Sequence, residues 1–448
     1  MSAVDALSGH PVQSLLKQLD DLAGRPADRS KVVVMGQGYV GLPLTMRAAE
    51  LNRFRVVGFD VDVSKVLSLL NGTSFIEDVP DERVVAALSR GFIPTYDEQD
   101  LAEFDYAIIT VPTPLRDGVP DLSYIESAAR LLGVHLRPGA TVVLESTTYP
   151  GTTEQVLIPL LSEVSGLAPG AFHVGFSPER IDPGNVGWTF ESTPKIVSGS
   201  EYCCLAKIVS FYSLLCDHIV PVATTAEAEL AKVLENTFRY VNIALVNEMA
   251  QYAHSLGIDI WSVIDAAATK PYGFMKFTPG PGAGGHCLPI DPSYLSWVVE
   301  RHLGKTFRFV EIANDINTHM PDYVVERVIR LLNARGKCLN GAQVLLMGLA
   351  YKAGSSDLRE TPAMRVIDLM RGLGAQVSVI DPHVRNWKHS DPAVTFVETD
   401  VMSWVQQADI VVLLTDHTEF DYTAVSERAP EVLDCRHAFS ASANVHYL

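Results

Sequence analysis

One cysteine follows a run of glycines in Gly280-Pro281-Gly282-Ala283-Gly284-Gly285-His286-Cys287-Leu288-Pro289-Ile290-Asp291-Pro292. Glycine lets a backbone come close to a ligand and take φ > 0. A thiol on such a loop has three available roles: nucleophile, metal ligand or packed core group. Asp291, at i+4 from the cysteine, adds a carboxylate that can take a proton. His286 is adjacent, but neighbours in a loop usually point apart, and nucleophile–base partners come from distant parts of a chain. Read alone, Cys287 fits a core thiol as well as a nucleophile, and the glycines favour function.

A second constellation is Gly36-x-Gly38-x-x-Gly41, a complete G-x-G-x-x-G after the apolar run Lys31–Met35. Asp60 ends the next apolar run, about 20 residues on, as the dinucleotide fingerprint requires. The glycines admit a pyrophosphate to a helix N-terminus, and Asp60 accepts hydrogen bonds from both adenosine ribose hydroxyls. An acid there repels a 2′-phosphate, so NAD is expected over NADP. Val111-Pro112-Thr113-Pro114 and Glu145-Ser146-Thr147-Thr148 each follow a strand-like run, at the strand end where ligands bind open sheets. Lys232 and Asn236 are i, i+4 on a helical pattern and share a face. By themselves they also fit a solvated polar stripe.

These groups need a scaffold, and the sequence describes one. Strand-like runs at Lys31–Met35, Arg55–Asp60, Tyr106–Val111, Thr141–Leu144, His173–Phe176 and Lys195–Ser198 alternate with helical stretches. That alternation predicts a doubly wound parallel sheet, with the last two runs continuing it. A long helix is predicted from Ala226 to Leu256, opened by Thr224 and Glu227 at capping-box spacing and stopped by Gly257. It would run about 45 Å at 1.5 Å per residue. Leu230, Val233, Leu234, Val241, Leu245, Met249 and Tyr252 line one face, which suits a bridge between domains and a dimer contact. A second strand–helix–strand unit begins at Gln343. Its Gly348-Leu349-Ala350-Tyr351 echoes Gly36-Gln37-Gly38-Tyr39, and Val377–Asp381 ends in an acid as Val56–Asp60 does. It lacks G-x-G-x-x-G and carries Lys352 and Arg359, which points to a different ligand. The expected fold is therefore α/β, two Rossmann-like domains around a helical centre. Its segments are an extension at 1–30 holding a short amphipathic helix, a cofactor domain at 31–219, a helical domain at 220–332 and a second Rossmann-like domain at 333–448.

Formal net charge is −18 over 448 residues. Nucleic acid and anionic membrane need basic patches, so neither is an expected partner. The six cysteines show no C-x-x-C pairing, which argues against a zinc site or disulfide framework and favours a reducing cytoplasm. No leader pattern and no run long enough to span a membrane is apparent.

Together these residues resemble the nucleotide-sugar 6-dehydrogenase family, the UDP-glucose/GDP-mannose dehydrogenases. The resemblance runs from Lys31 to about Cys435. It rests on the glycine fingerprint, Val111-Pro112-Thr113-Pro114, Ser177-Pro178-Glu179-Arg180, Ala231-Lys232 with Asn236, Gly284-Gly285-His286-Cys287 with Asp291, and Tyr351-Lys352 with Asp357, Arg359 and Glu360. Lys270-Pro271-Tyr272-Gly273-Phe274-Met275 and Pro279-Gly280-Pro281-Gly282 look like the branch acting on UDP-N-acetylhexosamines. UDP-N-acetylglucosamine is the expected substrate. UDP-N-acetylmannosamine and UDP-glucose are the alternatives, and a non-catalytic nucleotide-sugar binder is a remote one.

The resemblance implies two successive NAD-dependent oxidations of the sugar C6 hydroxymethyl to a carboxylate. Cys287 then holds the aldehyde as a thiohemiacetal and the acid as a thioester. Lys232 and Asp291 serve the first proton transfer through an ordered water, which Thr147 helps position. Glu179 or Asp291 assists hydrolysis, and Lys232 and Asn236 stabilise the oxyanion. The implied cofactor site comprises Gly36, Gly38, Tyr39, Val40, Gly41, Asp60, Lys65, Pro112, Thr113, Ser146 and Thr147. The implied UDP-sugar site comprises Glu179, Arg180, Lys232, Asn236, Phe274, Met275, Gly282, Gly284, Tyr351, Lys352 and Arg359. A homodimer through the central helix, or a higher oligomer, is expected, with no metal.

Overall fold

The computed structural model describes residues 29–448, apart from Asp117, residues 182–186, His286, Asn386 and the side chain of Cys287. The expected amphipathic helix of the first residues lies outside this range. The chain divides into two compact units, Met1–Glu235 and Asn236–Leu448.

In the first unit, β1 (Lys31–Met35), β2 (Arg55–Phe59), β3 (Ile93–Thr95), β4 (Tyr106–Ile109), β5 (Thr141–Leu144) and β6 (His173–Phe176) form one sheet in the order β3-β2-β1-β4-β5-β6. Every pairing is parallel. The strands are apolar throughout because both faces are covered. Val32, Val34, Val56 and Ile108 pack on one side, and Val33, Met35, Val57 and Ile109 on the other. That explains continuous apolar runs rather than alternation.

One expected strand behaves differently. β7 (Lys195–Val197) does not continue the sheet but pairs in parallel with β8 (Ile219–Pro221) in a separate two-stranded sheet. Only the residues after it reach the edge of β6, with the N–H of Ser198 on Phe176 and that of Ser200 on Val174. This geometry brings Lys195 beneath the ends of β5 and β6.

The long helix spans Thr225–Ser255 and carries the boundary between the units. Its capping box forms: the N–H of Glu227 donates to Thr224 Oγ1 at 3.1 Å, and the N–H of Thr224 donates to Glu227 Oε2 at 3.1 Å. Gly257, at φ +69°, ends it. Glu229 ties its first turns to the first unit by accepting from the N–H groups of Gly151 and Thr153 and the Thr153 hydroxyl.

The second unit begins with the rest of this helix, followed by helices Ile260–Ala268, Cys287–Leu303 and Arg308–Ala334. Its sheet contains β9 (Gln343–Met347), β10 (Gln376–Ile380), β11 (Thr395–Phe396), β12 (Ile410–Leu413), β13 (Val432–Asp434) and β14 (Val445–Tyr447). The order is β11-β10-β9-β12-β13-β14, the same as in the first sheet and again all parallel. The repeat read from the two glycine turns is thus a repeat of the whole sheet.

Candidate active site

In the first unit the glycine turn sits at the end of β1. Gly36 has φ +92°, and a Cβ there would meet Thr110 O at 3.0 Å. Thr110 Oγ1 lies 2.9 Å from both Met35 O and Gly36 O and shares its one O–H between them, which fastens the turn to the end of β4. A Cβ on Gly41 would lie 1.9 Å from Gly36 O, whereas one on Gly38 would meet nothing within 4 Å. Gly41 is required by the protein's own packing, and Gly38 borders open space. Helix Gly41–Glu50 follows from Val40 with no side-chain cap and no acid in its first turn. Its N-terminal N–H groups suit an anion.

Asp60 is buried. Its Oδ2 accepts from the N–H of Gln37 at 2.8 Å and lies 3.6 Å from Lys65 Nζ, and its Oδ1 accepts from the N–H of Asp62 at 2.9 Å. A carboxylate has about four lone-pair sites, so acceptor capacity remains for a diol. Ser146 Oγ donates to Val111 O at 2.7 Å, joining its loop to Pro112 and Thr113. Thr113 is buried, Thr147 half-buried, and the Tyr39 hydroxyl donates to Glu77 at 3.3 Å. The turn, uncapped helix, open space at Gly38 and acid at Asp60 fit a dinucleotide.

Glu179 closes β6. Its Oε1 accepts from the N–H groups of Arg180 at 2.6 Å and Ile181 at 2.7 Å, and its Oε2 from Lys195 Nζ at 3.0 Å. Arg180 is occupied with the fold itself. It donates to Pro194 O and grips Glu235 of the long helix at 2.7 Å. Lys232 is buried on that helix, one turn before Asn236.

In the second unit, Asn236 Nδ2 donates to Asp291 Oδ2 at 2.5 Å, and both residues are buried. Cys287 is the first residue of the helix that carries Asp291, one turn earlier. The glycines before it serve protein contacts. A Cβ on Gly284 would lie 2.7 Å from Tyr351 Cβ, and one on Gly285 2.8 Å from the Tyr351 ring. The Gly285 N–H donates to Arg359 O at 2.9 Å. The cysteine loop and the Tyr351-Lys352 motif are therefore one packed assembly within this unit. The Arg359 guanidinium forks onto Asp357, at 3.0 Å and 2.6 Å. Gly282, at φ +136°, is backed by Asn317 O and Pro362. Phe274 and Met275 are exposed.

The acid of the second unit differs from Asp60. Asp381 accepts from the N–H groups of Leu349, Ala350, His383 and Val384 and from His417 Nε2 at 3.0 Å. His417 Nδ1 accepts from the Gly354 N–H, which assigns the remaining proton to Nε2. Burial opposes the charge on Asp381, but His417 and the backbone donors overcome it and hold the carboxyl down at about 2. Five donors leave little for a ribose diol, so the second unit repeats the fold without the dinucleotide chemistry.

Sequence reading passed over two members of the first unit's polar centre. Lys195 and Glu145 meet Glu179 under the sheet ends, with Lys195 Nζ 3.1 Å from Glu145 Oε1. The available signal was a charge bordering each apolar strand, in Leu144-Glu145 and Lys195-Ile196.

Comparison with known proteins agrees with this architecture. The family models of the UDP-glucose/GDP-mannose dehydrogenases match in order: the NAD binding domain over residues 30–215, the central domain over 226–319 and the UDP binding domain over 345–441. UDP-N-acetyl-D-glucosamine 6-dehydrogenase of Pseudomonas aeruginosa is 38% identical over 79% of this chain and 83% of its own length. NDP-N-acetyl-D-galactosaminuronic acid dehydrogenase of Ralstonia nicotianae is 33% identical over 92% and 97%. The solved UDP-D-ManNAc dehydrogenase of Pyrococcus horikoshii superposes with TM-score 0.83 at 32% identity, over 93% of this chain and 98% of that one. Among the described residues no helix is long and apolar enough to cross a membrane. With all three of its domain models matched and its glycine turn built for a dinucleotide, the chain belongs to the UDP-glucose/GDP-mannose dehydrogenase family, the NAD-dependent nucleotide-sugar dehydrogenases.

Proposed function

We propose that this enzyme oxidises the C6 hydroxymethyl of a UDP-N-acetylhexosamine, UDP-N-acetylglucosamine in first place, to the uronic acid. The observation that carries the reading is the buried Asn236–Asp291 hydrogen bond, one helical turn from Cys287. It joins a proton acceptor to an amide donor at the head of the cysteine helix. Bound NAD supplies the hydride acceptor for each oxidation.

Removing hydride from an alcohol requires a base for its proton. Lys232 and Asp291, acting through a water positioned by Thr147, take that part. The aldehyde then has no hydroxyl to drive a second oxidation. Cys287 thiolate adds to the aldehyde carbon and the carbonyl oxygen takes a proton, giving a thiohemiacetal. Loss of hydride and that proton leaves a thioester. Water attacks it with Glu179 or Asp291 accepting a proton, and the thiol departs. Lys232 and Asn236 stabilise the oxyanion, where preorganised donors contribute most. A helix N-terminus favours negative charge near Cys287. Gly36, Gly38, Tyr39, Val40, Gly41, Asp60, Lys65, Pro112, Thr113 and Ser146 hold the cofactor. Arg180, Phe274, Met275, Gly282, Gly284, Tyr351, Lys352 and Arg359 hold or shape the site for the nucleotide sugar.

Relatives named for glucosamine, mannosamine and galactosaminuronic substrates support the N-acetylhexosamine class. The test is NADH release against UDP-GlcNAc, UDP-ManNAc, UDP-glucose and UDP-galactose, with products identified by mass. Two NADH per UDP-GlcNAc and a uronic acid are expected. One NADH with a free aldehyde overturns the four-electron reading, and preference for UDP-glucose overturns the branch.

We also propose a homodimer in the cytoplasm. Leu245, Met249 and Tyr252 form an apolar stripe on the long helix and are 54%, 46% and 57% exposed. Such a stripe marks an interface more often than a solvent face. The free thiols of Cys203, Cys204, Cys216, Cys338 and Cys435 suit a reducing compartment. The double substitution Leu245→Glu, Met249→Glu is expected to halve the mass seen by light scattering, and an unchanged mass overturns this interface.

A further inference from the structure

Lys195 is 3% exposed, and its ammonium serves two buried carboxylates, Glu145 at 3.1 Å and Glu179 at 3.0 Å. Glu145 follows β5 directly, before Ser146 and Thr147, and Glu179 lies three residues past the end of β6. The rings of Phe190 and Tyr212 lie 5.3 Å and 5.4 Å from the ammonium. The Tyr212 hydroxyl donates to Glu145 Oε1. Among the described residues, the Cys216 thiol also bears on this ammonium, and Glu191 bears on Cys216.

Among the described residues, this cluster sets one ammonium, that of Lys195, against two carboxylates. A buried charge without compensation is costly, so a shared proton is the economical state. Geometry decides where that proton sits. Glu179 accepts from two backbone N–H groups and the ammonium. Glu145 has an oxygen, Oε2, that is buried and accepts no hydrogen bond from the described residues. An orphan carboxyl oxygen costs less in the neutral acid than in the anion. Burial also pushes the Glu145 carboxyl up to about 7, against the pull of Lys195.

We propose that Glu145, Lys195 and Glu179 form a charge-balancing relay, in which Lys195 is the positioning residue for Glu179 and Glu145 carries the exchangeable proton. The relay rests on the hydrolytic role given to Glu179 above. When Glu145 is neutral, Lys195 belongs to Glu179 alone. When Glu145 ionises, it competes for the Lys195 ammonium and loosens that ion pair's hold on the Glu179 carboxylate, so the step Glu179 assists speeds up as pH rises through about 7.

The stability consequence has a definite sign. The folded-state carboxyl of Glu145 titrates above its unfolded value. Its contribution is therefore fully present below the ordinary glutamate range and lost as pH rises through about 7. Glu145→Gln keeps the shape and cannot ionise. The melting temperature of wild type minus that of Glu145→Gln is thus expected to be larger at pH 5 than at pH 8, without any substrate. In NADH release at saturating sugar and NAD, the ratio of wild-type to Glu145→Gln kcat is expected to rise severalfold across the same range. Lys195→Met is expected to lower kcat about 100-fold with the KM for NAD within about twofold, and Lys195→Arg to recover about tenfold of it.

A melting gap that is constant from pH 5 to pH 8, or a folded Lys195→Met enzyme with kcat within about threefold of wild type, overturns the relay. If Lys195→Met does not fold, the isosteric Glu145→Gln still gives both readouts. If wild-type enzyme releases no NADH with any nucleotide sugar, the role of Glu179 falls, and the substrate-free melting gap decides separately whether the shared proton exists.

Discussion

Cys287→Ser is expected to abolish uronic acid formation while sparing the first hydride transfer. A serine hydroxyl is a far weaker nucleophile than a thiolate at neutral pH, so the aldehyde is no longer captured efficiently. Steady-state NADH release should fall by about 1,000-fold or more, and a rapid-mixing trace should show at most about one NADH per site before it stalls. Mass analysis should then find the aldehyde, its hydrate or an ester on the introduced hydroxyl, and no free acid. A melting curve matching wild type guards against loss of fold. Sustained release of two NADH per sugar by this variant at the wild-type rate would falsify covalent capture. Lys232 and Asn236 give a graded comparison. If they hold the oxyanion as proposed above, removing either is expected to cost about 100- to 1,000-fold, with the first oxidation suffering less than the second.

The parts of this site visible in the sequence are those set by local rules. The Thr224–Glu227 capping box, the Gly257 stop and the apolar runs of β1, β2, β4, β5 and β6 all depend on neighbours within a few residues, and each forms as expected. The repeat of Gly36 in Gly348 was also legible, because both turns pass close to a threonine just beyond the neighbouring strand, Thr110 after β4 and Thr415 after β12. What the sequence hides is tertiary. Asp60 and Asp381 look alike at their strand ends, yet His417, from a distant segment, completes a set of five donors on Asp381 and changes its chemistry. The glycines before Cys287 suggest room for a ligand, but at Gly284 and Gly285 that room is taken by Tyr351. The Lys195 strand reads like any short β-strand. Only its pairing with Ile219–Pro221 places its ammonium between Glu145 and Glu179.

Two glycines of one motif are expected to fail in different ways, which separates binding from folding. In Gly41→Ala the new Cβ would lie 1.9 Å from Gly36 O and 2.5 Å from Thr110 Oγ1. Neither neighbour can yield freely, because Thr110 Oγ1 holds both Met35 O and Gly36 O. The turn must open or the helix must shift, and overpacking of that kind costs about 1–3 kcal/mol or more. At about 2–4 °C per kcal/mol for a unit of this size, the melting temperature should drop by several degrees, and NAD should no longer saturate the enzyme. In Gly38→Ala the Cβ meets no protein atom within 4 Å, and Gly38 is not among the positive-φ glycines. Its melting temperature should stay within about 2 °C of wild type, because no packed atom is displaced. The KM for NAD should nonetheless rise about tenfold or more with the KM for sugar nearly unchanged, because a pyrophosphate on the uncapped helix must pass through the space the methyl group fills. An unchanged NAD response in Gly38→Ala would show that the cofactor avoids this turn. A stable, fully active Gly41→Ala enzyme would show that the turn can be rebuilt around a side chain.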